Sequence, residues 1–335
     1  MDYPFVSVIV PCRNEDLFIS DCLNSILSND YPRDKIEVLV VDGNSSDQSR
    51  KIIDKIAEEN SCVNILENPQ IIFPAAVNTG IKSAKGDLIF IAGAHARYPV
   101  NYISACVSYS INYNADNIGG VLETLSVDES FTGRLITKVL SSPFGVGNSK
   151  FRTGSSEIIE TDTVFGGCYK KEVFIKHGLF NEKLISTSDF EFNSRIRKAG
   201  AKILLVPEIK TFYYTRTSYM KFVRNNIRNG FWAIFPISVT DHFPVSVRHL
   251  IPLVFVLSLL ISASLSFFSG LFLLAFLAIM VSYLFICIVY SIRASGKNLL
   301  EFLMMPLIFI SLHLSYGIGS ISGIIKIVQK KLTDN

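Results

Sequence analysis

The first hundred residues alternate short apolar runs with amphipathic stretches, at a spacing that leaves few folds open. "VSVIVP" (6–11), "IEVLVVD" (36–42), "VNILEN" (63–68) and "DLIFIAG" (87–93) are rich in β-branched residues and carry few charges, the pattern of strands buried on both faces. Between them, 15–27 places Leu17, Phe18, Cys22, Leu23, Ile26 and Leu27 near helical spacing. The stretch 46–59 opens on the capping-type pair Ser46 and Asp47, then shows Ile52, Ile53 and Ile56. The stretch 73–86 has a proline near its start and Gly86 past its end. This alternation predicts right-handed βαβ units around a parallel sheet. In such sheets ligands collect beyond the carboxyl ends of the strands. Three polar turns lie there: "PCRNE", "VDGNSSD" and "GAHARY".

The middle of the chain, about 117–206, is less regular. It holds "NIGGVLETLS", a Gly/Ser-rich loop "SSPFGVGNSKFRTGSS", the stretch "TDTVFGGCYKKEVFIKHGLF", a helix "STSDFEFNSRIRKAG" ending at Gly200, and a strand "AKILLVP". From 207 to 248, Lys210, Arg216, Lys221, Arg224, Arg228 and Arg248 face only Glu208 and Asp241, and aromatic residues are interleaved. Basic and aromatic residues just ahead of apolar spans suggest a helical interfacial belt on the cytoplasmic side. An ordinary amphipathic helix packed on the domain would read the same way.

From His249 onward apolar residues dominate. The stretches 250–268 and 271–292 are each about long enough to span a bilayer, with a short polar break between them. They read as a helical hairpin, and Arg248, Arg293 and Lys297 put both of its ends in the cytoplasm. A third apolar stretch, 302–328, contains Pro306, His313, Tyr316 and a Gly319-xxx-Gly323 pair suited to close helix packing. If it spans, Lys326, Lys330 and Lys331 end outside, against the positive-inside rule. A re-entrant or in-plane helix keeps them inside. Both topologies stay open. The expected organisation is thus a domain at 1–206, an interfacial segment at 207–248 and a membrane region at 249–335.

Charge and motifs exclude several classes. The net charge of +3 sits wholly in the tail, where five basic and two acidic residues follow His249 and leave 27 of each sign before it. A balanced domain gives no electrostatic case for nucleic acid. The six cysteines, at 12, 22, 62, 106, 168 and 287, form no CxxC pair and no zinc spacing, so inert thiols in a reducing compartment are expected. The opening "MDYPFVSVIVPCRNE" lacks a basic n-region and a cleavage site, and reads as a strand rather than a signal peptide. There is no GxxxxGK[ST], no GxGxxG after the first strand and no GxSxG.

Four residues could carry chemistry. Asp42 ends the second strand, where a carboxylate can accept from a nucleobase or a ribose hydroxyl, and the next helix N-terminus favours phosphate. Alone it is also an ordinary Asp-Gly turn. Asp189, one residue from Glu191 at a helix start, is either a dipole-favoured cap or a general base for an acceptor hydroxyl. His95 could be a metal ligand, a phosphate donor or a satisfied turn residue. Arg228 could clamp a diphosphate or be one more interfacial cation.

Taken in order, "VSVIVPCRNEDLFISDCLNSIL", "VLVVDGNSSDQS", "VNTGIKSAKGDLIFI" and the "SDFEFNSRIRKAG" helix resemble a family-2 glycosyltransferase of the GT-A fold. "SSPFGVGNSKFR", "DTVFGG", "RHLIP" and "HLSYGIG" look like the succinoglycan-biosynthesis glucosyltransferase (ExoA-like) subgroup. The resemblance covers about 5–325. It implies an α/β GT-A domain with a mainly parallel central sheet, followed by C-terminal transmembrane helices. It places Pro11, Asn14, Glu15, Asp42, Asn78 and Gly80 at the donor nucleotide, with Val77 where many relatives carry Arg. It makes Asp189 the general base of inverting transfer, with Ser188 in place of the preceding Glu. Arg97, Asp162 and Arg228 fall to the diphosphate or acceptor, and 225–229 looks like a degenerate QxxRW. Where the family usually has Asp-x-Asp and the subgroup Asp-Ala-His, this chain has Gly93-Ala94-His95. His95 is then a weak site for Mn²⁺ or Mg²⁺, with Arg97 or Arg228 as metal-independent alternatives.

The implied function is a membrane-associated inverting hexosyltransferase of the cytoplasmic (inner) membrane. It would be multi-pass with its catalytic domain in the cytoplasm. It would use a nucleotide-sugar, UDP-hexose first, and a lipid-linked saccharide acceptor in exopolysaccharide or surface-glycan synthesis. The alternatives are a polyprenyl-phosphate sugar synthase, which has less need of a base, and a catalytically silent nucleotide-binding subunit, for which Gly93 and Ser188 speak.

Overall fold

The computed structural model describes residues 3–127, 130–215, 218–240, 246–296 and 298–333. Arg216, Asp241 and Lys297, three charges in the belt and hairpin expectations, lie outside the described residues. The chain divides into two units, Met1–Glu123 with Lys150–Tyr214, and Thr124–Ser149 with Thr215–Asn335.

In the first unit β1 (Val6–Cys12), α1 (Ile19–Leu27), β2 (Ile36–Asp42), α2 (Ser49–Glu59), β3 (Val63–Glu67), α3 (Phe73–Ser83) and β4 (Leu88–Ile91) follow the predicted alternation. β1 pairs in parallel with β2 and β4, and β2 with β3. Every residue of β2 is buried, as is all of β1 except Pro11. Burial on both faces is what the unbroken apolar runs encode. α1 starts at Ile19 rather than 15, because the N–H groups of Phe18 and Ile19 turn back onto the Glu15 carbonyl.

The unit continues with β5 (Ala96–Arg97), α4 (Tyr102–Tyr113) and β6 (Asn117–Ser126). The chain then runs through α5 (Phe131–Leu140) and α6 (Pro143–Val146) of the second unit. It returns as α7 (Lys150–Thr153), β7 (Ile159–Glu160), β8 (Cys168–Lys170), α8 (Lys171–His177), α9 (Ser188–Lys198) and β9 (Ile203–Thr215). The sheet order is β3-β2-β1-β4-β8-β6-β9-β5, with β7 also on β9. β8 runs antiparallel to β4 and β6, and β5 and β7 run antiparallel to β9. The sheet is therefore parallel on its β3–β4 side and mixed beyond it.

Two boundaries differ from expectation. The strand expected at "AKILLVP" runs on to Thr215, so 207–215 belong to the sheet and not to a helical belt. Glu208 and Lys210 are exposed while Ile209 and Thr211 are buried, and that alternation is the period of a strand. Residues 124–149, placed by sequence inside the 1–206 domain, fall in the second unit. There α5 buries Leu135, Ile136 and Val139 with Phe222, Cys287, Met305, Ile308, Phe309 and Leu312.

The second unit also holds α10 (Tyr219–Ile234), α11 (Ile251–Leu265), α12 (Gly270–Ser295) and α13 (Leu299–Thr333). Among the described residues three helices are long and apolar enough to cross a membrane: Val247–Leu265, Gly270–Ser295 and Leu299–Thr333. The third apolar stretch, expected at 302–328, is one continuous 35-residue helix that includes Pro306. Its glycines let backbones approach. A Cβ at Gly319 would meet the Ile227 carbonyl oxygen at 2.0 Å, and one at Gly230 would meet the Tyr316 oxygen at 1.9 Å, so α10 and α13 pack nearly in backbone contact. Gly317 gives α11 the same approach, with Val256 Cγ2 at 2.4 Å. His313 and Tyr316 of "HLSYGIG" are tied within this unit. The Tyr283 hydroxyl lies 2.8 Å from His313 Nδ1, and His249 Nδ1 lies 2.7 Å from the Tyr316 hydroxyl.

Candidate active site

In the parallel half, β1 is flanked by β2 on one side and β4 on the other, so the strand order reverses at β1. The carboxyl end of such a strand is where open α/β sheets bind ligands. "PCRNE" leaves β1 there and "VDGNSSD" leaves β2. Asp42 is 3% exposed. Its carboxylate accepts from the Ser45 hydroxyl at 2.6 Å and lies 3.7 Å from Arg50 Nη1. Asn14 donates its N–H to Ser45 Oγ, at 3.0 Å, and its side-chain oxygen accepts from Ser46 N–H, at 2.8 Å. Glu15 donates its N–H to Ser49 Oγ, at 2.7 Å. Asp47, expected as a helix cap, accepts from Ser49 N–H at 2.9 Å. The two turns are thus laced together by short side chains. Asn14 and Asn44 take left-handed backbone, with φ of 55° and 58°, which asparagine tolerates better than most residues. Cys12 lies beneath this web. Burial, then the charges of Asp42 and Glu15, push its thiol up to about 12, so it stays neutral and is no nucleophile.

The turn after β4 carries His95. Its Nδ1 lies 3.3 Å from Glu15 Oε1, and its carbonyl accepts from Tyr214 N–H at 3.1 Å, which ties the turn to β9. Its ring meets Tyr213 with centroids 4.8 Å apart, and Phe18 stacks on Tyr214 at 5.6 Å. At Gly93 a Cβ would come within 3.0 Å of Phe165 Cζ. The Phe165 ring therefore crowds the space into which an Asp at this position would grow. Among the described residues no three His, Cys, Asp or Glu side chains converge on one point. With Nδ1 facing Glu15, the chain offers a divalent cation one imidazole nitrogen. Mg²⁺ wants an oxygen cage, and Mn²⁺, though tolerant of imidazole, takes several more donors. The residues present do not build a divalent-cation site of their own.

Asp189 sits in the first turn of α9 and is partly buried. Desolvation pushes its carboxyl from the ordinary carboxylate range up to about 6, against the pull of the N–H groups of Phe190 and Asp189 itself. Behind it, burial and then the Asp189 charge raise the Tyr169 phenol, whose hydroxyl donates to Asn193 Oδ1 at 3.1 Å. Asn193 in turn donates to Thr163 Oγ1 at 2.9 Å and accepts from Asn117 at 3.2 Å. Glu191, by contrast, is held by Arg195 at 2.8 Å and is a packing pair. Among the described residues no hydrogen bond or ion pair joins Asp189 to His95.

The other predicted residues scatter. Pro11 pairs with Val41 in the parallel register. Asn78 is buried: its amide donates to the Phe180 carbonyl and to Glu182 Oε1, each at 2.9 Å, and accepts from Phe180 N–H at 3.0 Å. It anchors the segment that leads to α9. Gly80 lets α3 lie on β1, since a Cβ there would meet Ile9 Cγ2 at 2.5 Å. Asp162, half-buried after β7, accepts from the Thr161 hydroxyl at 3.3 Å. Arg97 is exposed on β5, with Cζ 5.1 Å from the Phe212 centroid. Arg228 belongs to the second unit, exposed on α10 and donating to Asn225 Oδ1 at 2.9 Å. Geometry adds Phe165, Tyr213 and Arg152, whose Cζ lies 5.9 Å from the Tyr213 centroid. The signal for Arg152 and Phe165 was the "GNSKFR" and "TVFGG" segments, whose individual side chains carried no assignment, and Tyr213 was one of the interleaved aromatics of 207–248.

A sheet with its reversal at β1, a carboxylate web at that strand's end and a mixed second half make a GT-A type of fold. The solved mannosyltransferase PcManGT from Pyrobaculum calidifontis, in complex with GDP-Man and Mn²⁺, matches 96% of this chain and 88% of its own at a TM-score of 0.63 and 17% identity, a likeness of fold. The glycosyl transferase family 2 profile matches residues 7–175. The chain is 30% identical over 233 residues, 68% of its own length and 72% of the relative's, to the dolichyl N-acetyl-alpha-D-glucosaminyl phosphate 3-beta-D-2,3-diacetamido-2,3-dideoxy-beta-D-glucuronosyltransferase of Methanococcus voltae. It is 28% identical over 211 residues to the succinoglycan biosynthesis protein ExoA of Rhizobium meliloti, 62% of this chain and 63% of that one. The chain belongs to glycosyl transferase family 2, and it is a glycosyltransferase.

Proposed function

We propose that the chain is an inverting hexosyltransferase that takes a nucleotide-sugar, UDP-hexose first, to a hydroxyl of a lipid-linked saccharide at the cytoplasmic face of the inner membrane. The product would extend an exopolysaccharide or surface glycan. One observation carries the mechanism: among the described residues Asp189 is an acid without an ion pair, at a helix start, with its carboxyl pushed up to about 6. A base of that strength is ionised at neutral pH and basic enough to take a proton from a sugar hydroxyl in the transition state. As that oxygen bonds to the anomeric carbon, the bond to the donor phosphate breaks, its electron pair leaves with the nucleoside diphosphate, and Asp189 keeps the proton. The Asp42 web holds the nucleoside, with Pro11, Asn14 and Glu15 around it. Asn78 and Gly80 act at one remove, by fixing α3 and the segment before α9. Any Mn²⁺ or Mg²⁺ that accompanies the donor would be held by the diphosphate and water, with His95 as a weak ligand from the chain.

The membrane setting is supported by the three apolar helices and by Lys221, Arg224 and Arg228, all exposed on α10. The Methanococcus voltae relative is named for a dolichyl-linked saccharide acceptor, the class of acceptor proposed here. The test is transfer of radiolabelled sugar to lipid-extractable product by membranes carrying wild-type chain or Asp189→Asn. Product formed by the wild type and lost in the variant supports this assignment. Full activity in Asp189→Asn removes it and points to an acceptor already ionised, a polyprenyl phosphate.

A further inference from the structure

We infer that Arg152 is an anion-binding residue of the donor site, placed to take an oxyanion of the bound nucleotide-sugar, the diphosphate first. This assignment rests on the nucleotide-sugar reading above and adds the cation that reading lacks. The Arg152 guanidinium lies between two rings, with Cζ 5.4 Å from the Phe151 centroid and 5.9 Å from that of Tyr213. Its Nη1 is buried and has no hydrogen-bond partner. Among the described residues no ion pair engages the side chain. Burial pushes its pKa down, the direction a cation takes without a counter-ion, yet an arginine stays charged at neutral pH. Ring faces offset only part of the lost hydration. No described residue supplies that partner, so the partner we infer is an anion that arrives.

The neighbourhood says which anion. Tyr213, over which Arg152 lies, meets the His95 ring at 4.8 Å and the Phe165 ring at 5.5 Å. It stands between Arg152 and the turn at the carboxyl end of β4. The acids at that end are already engaged, Asp42 with Ser45 and Arg50, and Glu15 with His95. The same turn carries Gly93 where a metal-holding carboxylate would sit. A cationic side chain can take charge on the departing nucleoside diphosphate, with or without a donor-borne cation, and a desolvated guanidinium matches phosphate in both charge and fork geometry. Arg97, the alternative cation on this unit, is exposed. A hexuronate carboxylate on the donor offers the same planar oxyanion chemistry, and the experiment separates the two sources.

The full chain in detergent, as wild type, Arg152→Lys and Arg152→Met, is titrated calorimetrically with UDP, GDP, uridine, guanosine, UDP-glucose and UDP-glucuronate. Thermal melting without ligand is followed in parallel. The expected result is a nucleoside diphosphate bound by wild type and weakened about tenfold or more in Arg152→Met. Arg152→Lys should fall between, and nucleoside binding should be unchanged. The unliganded Arg152→Met chain should melt no lower than wild type, since a buried unpaired charge is gone. If diphosphate binding is unchanged but the preference for UDP-glucuronate over UDP-glucose disappears, the oxyanion is the donor carboxylate and the anion-binding role stands. Unchanged affinity for every nucleotide overturns the inference, as does a variant that melts far below wild type and loses nucleoside binding too. A wild type that binds neither diphosphate sinks the nucleotide-sugar reading itself, and this inference with it.

Discussion

The corner around Asp42 and the pair Asp189 and Arg152 belong to the same unit but follow opposite rules. Around Asp42, serines, Asn14 and Arg50 take up every side chain that matters. Asp189 and Arg152 are ionisable, desolvated and, among the described residues, without a salt-bridge partner. The first arrangement holds a shape in readiness for a ligand. The second stores unsatisfied charge, which is useful where a proton or a leaving group's charge has to be received. A fold optimised for stability alone would pair or remove such groups.

That contrast can be broken most sharply at Asp189. Asp189→Asn keeps the shape and removes the base, so turnover at saturating donor should fall by about a hundredfold or more while nucleotide affinity holds. Asp42→Ala should do the reverse, raising the donor KM or nucleotide Kd by about tenfold or more with turnover nearly kept. Equal loss of both parameters in either variant would erase the distinction.

The pH dependence follows from the same residue. Transfer should decline as pH drops through about 6, because the base must be ionised. Stability runs the other way. The folded carboxyl binds its proton more tightly than the unfolded one, so between about pH 4 and 6 the native state holds more protons and loses stability as pH rises. Above pH 6 the full penalty is in place. Asp189→Asn, neutral throughout, should therefore be more stable than wild type at pH 7 by about 1–3 kcal/mol, with the gap closing below pH 4. Denaturant melts at the two pH values measure this.

The smallest effect is expected at Gly93. Gly93→Asp alone meets the Phe165 ring and should change Mn²⁺ dependence less than about threefold, since a single added carboxylate cannot settle into its place. Gly93→Asp with Phe165→Leu opens that space and should tighten Mn²⁺ binding further, read by Mn²⁺ titration of the nucleotide complex. No gain in the double variant would locate the cation elsewhere.

The parallel half of the sheet was legible because buried strands announce themselves by composition alone, as β1 and β2 do. β9 was cut short in the sequence reading because Glu208, Lys210 and the following aromatics look like an interfacial belt until the period of two is noticed. The short helices of 143–153 escaped for a different reason: α6 and α7 have four residues each, too few to show a helical period. Among candidate site residues, Asp42 could be read from its place at a strand end, while Asn14 was named only by the family resemblance of its turn. Asn78 could not be told apart from a ligand contact, because its partners at 180–182 are a hundred residues away. Arg152 was invisible as anything but a surface cation, since burial of a basic residue is a tertiary property.

At 1.5 Å per residue α13 is about 52 Å long, against a hydrocarbon core of about 30 Å. Its final turns mix Lys326 and Lys331 with exposed Ile325, Val328 and Leu332, a surface for the headgroup layer rather than for acyl chains. If α13 crosses the bilayer, a helix with that much surplus adjusts to bilayer thickness by leaning, not by stretching. Reconstitution in lipids of graded chain length should therefore act as a dial on α13's tilt, readable by polarised infrared spectroscopy, and makes acyl-chain length a variable to control in any assay of this enzyme.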